Sequence, residues 1–169
     1  MTQDDYIEVD PEATYCFKVS EKTDSSFSIC RQISEWLVTN LSSLTDDDDN
    51  ILFNKVNTGF NENSLKTFGV RPTCDVHIQN IEYDSNFDYV PRTVNTNIIF
   101  YLKGANNVAY MKICELHDYI MQEFLDNTTF KELEGIVFET RIVSSQLMSQ
   151  PINKKWGVMG AFELSHRIY

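Results

Sequence analysis

A chain of 169 residues fits one domain of ordinary size with a real core, and a second full domain is not expected. Its 42% hydrophobic and 12% aromatic content belongs to a folded chain rather than a disordered one. Lys and Arg total 14 against 25 Asp and Glu, a formal charge of −11, which removes the counterion-release drive for non-specific nucleic-acid binding and opposes docking on an anionic membrane.

Partners are therefore expected to be proteins. The cysteines, Cys16, Cys30, Cys74 and Cys114, are irregularly spaced, which suits reduced cytosolic thiols better than a secreted disulfide framework. Residues 1–10 are acidic and polar, unlike a signal peptide, and no stretch approaches the roughly 20 apolar residues of a membrane-spanning helix. Synthesis and residence in the cytoplasm are expected.

Residues 1–24 read as an N-terminal arm, polar apart from a β-like run over 14–19 where Tyr15, Phe17 and Val19 alternate with polar positions. The run is expected to pair with the main sheet or with a neighbouring chain. Residues 25–169 read as a single domain. Ser25 or Ser26 caps a helix on which Phe27, Cys30, Ile33, Leu37, Leu41 and Leu44 recur every three or four positions along one stripe. The acidic loop Asp46, Asp47, Asp48 and Asp49 is expected to end it, since adjacent carboxylates repel one another and oppose the helix dipole. Residues 51–56 read as a strand, and 57–68, rich in Asn, as a loop or short edge hairpin.

After Arg71 and Pro72, the residues Cys74, Val76 and Ile78 alternate with polar positions as a half-buried strand. A connection over 83–91 leads to a strand over 93–102, with Val94, Ile98, Phe100 and Leu102 on one face. Ile99 and Tyr101 make its far end apolar on both faces, so this strand should be central or covered by a partner. A second helix follows, capped by Asn106 or Asn107, with Ala109, Ile113, Leu116, Ile120 and Phe124 at helical spacing. Residues 136–143 alternate as a strand, 144–155 read as a hairpin connection or protruding loop, and 156–168 close the chain as a strand with Trp156, Val158, Phe162 and Leu164 on one side. Strands in runs, flanked by two helices, predict an α+β fold: a mainly antiparallel sheet with both helices on one face.

The usual catalytic patterns fail: six glycines form no phosphate-cradling motif, and no nucleophile elbow or His-Glu-x-x-His helix occurs. Cys114 and His117 share a helix face, but two ligands do not make a zinc site. Cys74 and His77 repeat the spacing on a strand, where positions three apart face opposite ways, so the pairs read as core cysteines and partly exposed histidines. The Asp run lacks the alternation and central Gly of a calcium loop and reads as solvated. An aromatic platform of Trp36, Trp156, Tyr101 and Phe100 lacks the basic groove that base stacking accompanies. No catalytic, metal or cofactor residues are assigned, and the chain is read as no enzyme.

From Arg71 onward the order of elements resembles the tail terminator, or tail completion, proteins of long-tailed bacteriophages. The likeness rests on Arg71-Pro72-Thr73-Cys74-Asp75-Val76-His77-Ile78 as a strand after a proline, Glu82-Tyr83-Asp84 as a charged connection, and the strand over 93–102. It continues through a helix over 105–124 with Glu115-Leu116-His117-Asp118-Tyr119-Ile120 at its middle, and a closing pair of strands through Trp156, Gly157 and Phe162-Glu163-Leu164. The resemblance implies a virion subunit, assembled in the host cytoplasm, that forms a hexameric ring at the head-proximal end of the tail. It would end tube polymerisation and join tail to head. Implied partners are further copies of itself, the tail tube protein, and a head-tail connector or head-closure protein, with DNA passing through an acidic lumen unbound and no membrane involved. Loops 57–68, 83–92 and 144–155 are the expected contacts, with Arg71, Arg92, Arg141, Lys154 and Lys155 pairing with carboxylates of the next subunit and Trp156 as an anchor. Another neck component, such as a connector or head-closure subunit, has similar size and composition, and an assembly adaptor absent from the particle is the reading from a different class.

Overall fold

The computed structural model describes residues 26–59, 71–83, 91–103, 107–152 and 155–169, without the side chains of 26–27, 91, 150–152 and 155–156. The arm and most of loop 57–68 lie outside the described residues, as do residues 84–90 and Lys154. The chain forms a mixed α+β fold in the order α1 (Ser26–Ser42), β1 (Lys55–Thr58), β2 (Thr73–Tyr83), β3 (Pro91–Lys103), α2 (Asn107–Asp126), α3 (Thr128–Glu132), β4 (Glu139–Ile152) and β5 (Lys155–Arg167). The five strands make one sheet in the order β1-β2-β3-β5-β4, parallel between β1 and β2 and antiparallel elsewhere.

β3 is the middle strand, as its two-sided apolar end requires, and it pairs without a break from Thr93↔Arg167 to Lys103↔Gly157. Val94, Ile98 and Phe100 on β3, with Val158, Phe162 and Leu164 on β5, join the main core, which the stripes of α1 and α2 complete through Ile33, Leu37, Leu41, Ile113, Ile120 and Phe124. On the opposite face Tyr101 and Met159 form a smaller buried cluster with Ile99 and Met148 against them. Beside it Asn57 donates a buried hydrogen bond of 2.8 Å to the Asp75 carboxylate, and burial, then that charge, pushes the Tyr101 phenol pKa up.

Four expectations need correction. The first helix stops at Ser42, ahead of the aspartates, because polar side chains in its last turn bond its own carbonyls: Asn40 Nδ2 donates to Trp36 O at 2.9 Å, Ser42 Oγ to Val38 O at 2.6 Å and Ser43 Oγ to Asn40 O at 2.8 Å. The strand expected over 51–56 lies at 55–58; Ile51 makes only an isolated bridge to Thr45, and Phe53 turns into the core. The segment 144–155 is no loop, since β4 runs to Ile152 and β5 begins at Lys155. A bulge between Ile142 and Ser144 breaks the alternation there, and Ser144, Ser145 and Gln146 stay exposed along a sheet edge, which makes a strand read as polar connection. Finally there is a third helix. Asn127 caps α3 by accepting from Thr129 N at 3.0 Å, and Phe130 on this helix meets Trp36 and Phe124 edge to face at 5.2 and 5.1 Å. Asn127→Ala is expected to cost about 1 kcal/mol, read as a lower urea midpoint at unchanged m-value.

Candidate functional site

Two surfaces stand out, and they lie at opposite ends of the sheet. The first surrounds the loop between α1 and β1. Asp46 holds it: its carboxylate accepts from Asn50 N at 2.8 Å, Asp48 N at 3.0 Å and Asn50 Nδ2 at 3.2 Å. These bonds, the Asn50 amide foremost, draw the Asp46 pKa below the usual carboxylate range. Asp47, Asp48 and Asp49 are exposed around this hub, with Ile51 beside them. A groove of about 420 Å³ runs from the loop to α2, floored by Leu52, Pro72, Leu102, Ile113 and Leu116 and rimmed by Asp46, Arg71, Lys112 and Glu115. Lys112 pairs with Glu115 at 2.7 Å. An apolar floor under a rim of both signs suits protein side chains.

The second surface is the corner where β4 starts and β5 ends. β4 is 14 residues long and stands at the sheet edge, paired on one side only among the described residues. Beside its start Phe138 is 52% exposed and meets the 74% exposed Tyr169 edge to face at 5.7 Å, while the Arg167 guanidinium lies 5.3 Å from the Phe138 ring centre. Arg141 donates to Glu139 at 2.8 Å. That bond first, then the charges of Arg141, Arg167 and Lys131, pulls the Glu139 carboxyl down, and Arg167 stands directly opposite it across the strands. Val143, put out of phase by the bulge, adds exposed apolar surface along the same edge.

The expected contact residues divide between these surfaces. Arg71 is at the groove; Arg141 is at the corner, and Arg92, exposed at the start of β3, is at the same end of the sheet, its carbonyl accepting from Ile168 N at 2.8 Å. Lys155 and Trp156 open β5, with side chains outside the described residues. Sequence reading missed Lys131, Phe138, Val143, Arg167 and Tyr169. Phe138 and Val143 sit in an alternating run whose exposure cannot be told until the strand is known to be an edge.

The cysteine and histidine pairs are kept apart. Cys74 is buried on the helix side of β2, where loss of hydration raises its thiol pKa, while His77 lies on the other face, 3.4 Å from Asn97 Nδ2. On α2 the expectation of a core cysteine and a partly exposed histidine is reversed: His117 is buried, stacked on Phe162 at 4.5 Å, and Cys114 is half-buried. Among the described residues no three His, Cys, Asp or Glu side chains gather as metal ligands would, and no helix is long and apolar enough to cross a membrane. No protein-family model matches the chain, and no curated protein matches it in sequence.

Proposed function

We propose that this chain is a structural subunit of a phage tail, forming a homo-oligomeric ring at the head-proximal end that stops tube growth and joins tail to head. The observation that carries the reading is β4, a long strand at a sheet edge with exposed apolar and cationic side chains at its start. Exposed sheet edges promote association, and natural monomers usually shorten, twist or cover them. The α+β architecture and the ordered pattern from Arg71 onward support the same reading. A heterologous contact repeated by rotation closes into a ring, and a ring whose two faces differ ends a stack of tube rings. An excess of carboxylates suits a subunit around a DNA conduit, because like charge keeps DNA from sticking.

Disrupting the gene in the phage that carries it tests the role. Electron microscopy should then show heads separated from tails, with tails of uncontrolled length. Complete particles with tails of normal length would overturn it.

A further inference from the structure

Resting on that reading, we propose that copies of the chain join head to tail, with the corner at the start of β4 receiving the acidic loop 46–49 of a second copy.

The occupant follows from charge and from distance. On a chain with net charge −11, the corner gathers cations: Arg141 pairs with Glu139 at 2.8 Å, Arg167 stands opposite Glu139 across the strands, and Lys131 acts on the same carboxylate, with Phe138 and Tyr169 as an apolar frame. The acidic loop carries the complementary set, with Asp47, Asp48 and Asp49 exposed and Ile51, 49% exposed, as an apolar counterpart. Asp46 is occupied inside the loop by the amides of Asp48 and Asn50, so the loop arrives pre-shaped and little ordering is needed on docking.

Within one chain the two surfaces do not meet. Thr93 pairs with Arg167 at the corner end of β3, whereas Leu102 lines the acidic groove at the other end. Nine residues of strand separate them, roughly 30 Å along β3. The contact is between different patches of identical copies. Made once per pair of copies it is heterologous and repeats from copy to copy, forming a ring where the rotation closes; made twice in a reciprocal pair it would stop at a dimer.

The test uses two complementary charge-reversed forms of the full chain. One carries Arg141→Glu and Arg167→Glu; the other carries Asp47→Lys and Asp48→Lys. Sedimentation and native mass spectrometry follow assembly against concentration and salt. The wild type should form one closed oligomer, with a midpoint that rises as salt screens the contact. Each variant alone sets like charges against each other, and its midpoint should rise about 100-fold. The equimolar mixture should assemble again, as an oligomer alternating the two forms, because every interface in it then joins opposite charges. Recovery in the mixture also establishes that both variants are folded. Variants that assemble alone as the wild type does, a mixture that stays apart, or a wild type that remains monomeric would each overturn the contact. None of these results bears on tail length in the disrupted phage, which decides the role separately.

Discussion

Acidification from pH 6.5 towards 3 is expected to unfold this protein progressively through one buried histidine. His166 on β5 is fully buried, with Thr96 Oγ1 2.8 Å from its Nε2 and Thr140 Oγ1 2.9 Å from its Nδ1. A neutral imidazole satisfies both hydroxyls, donating from one nitrogen and accepting at the other. Burial lowers its pKa from 6.5 to about 3, since the charged ring has no water to solvate it. The unfolded chain therefore takes up a proton first as pH falls. Stability is full above 6.5, declines by about 1.4 kcal/mol per unit below it, and has lost on the order of 5 kcal/mol when the folded-state pKa is reached.

Urea titrations at intervals between pH 7 and 5 read this slope before most carboxylates protonate. His166→Gln should be less stable than wild type at pH 7 by about 1–3 kcal/mol, because the two threonines are served less well. Its profile should be flatter, so the two proteins converge as pH falls. An equal slope in the variant would show that the protons go elsewhere.

The second large effect is steric. Gly160 on β5 lies opposite Phe100 on β3, and the Phe100 ring covers the place a Cβ would occupy. Phe100 is fully buried, with Phe53 and Phe162 at ring distances of 6.3 and 6.0 Å, so the ring has nowhere to retreat. Gly160→Ala is expected to cost about 3 kcal/mol, the upper range for overpacking a tight core. Phe100→Leu trims the obstructing ring at the cost of a cavity. The double variant should then lose clearly less than the two single losses added together, a coupling that urea denaturation of all four proteins measures. Strict additivity would mean that the ring and the added methyl do not compete for the same space.

One of these positions bears on the proposed interface. His166 pairs across the sheet with Val94 and Thr140, one residue from the Thr93↔Arg167↔Glu139 row at the corner. Loosening it should weaken assembly as well as folding, since the corner is presented by the ends of these strands.

The two long helices were legible because their apolar stripes obey a 3.6-residue period, a local property of the chain. The strands at 73–83 and 91–103 were legible for the same reason with a period of two, and the two-sided apolarity of Ile99 to Tyr101 correctly marked β3 as central. The end of α1 was misplaced because side-chain hydrogen bonds from Asn40, Ser42 and Ser43 to carbonyls of its last turns compete with its continuation before the aspartates are reached. The β4 to β5 hairpin was misread as a connection because an edge strand has few neighbours to demand apolar residues, and one bulged residue reverses the phase of those it has.

Residue by residue, then, the order of most elements, the excess of acid and the candidate cations at Arg71, Arg92 and Arg141 could be taken from the amino acids alone, because periodicity and charge are carried locally. Which of the described strands stand at the sheet edges, that Arg141 and Arg167 flank one carboxylate, and that the acidic loop stands at the far end of the sheet were decided only by tertiary structure. Strand order and the meeting of residues distant in the chain depend on how the core packs, and no local spacing encodes that.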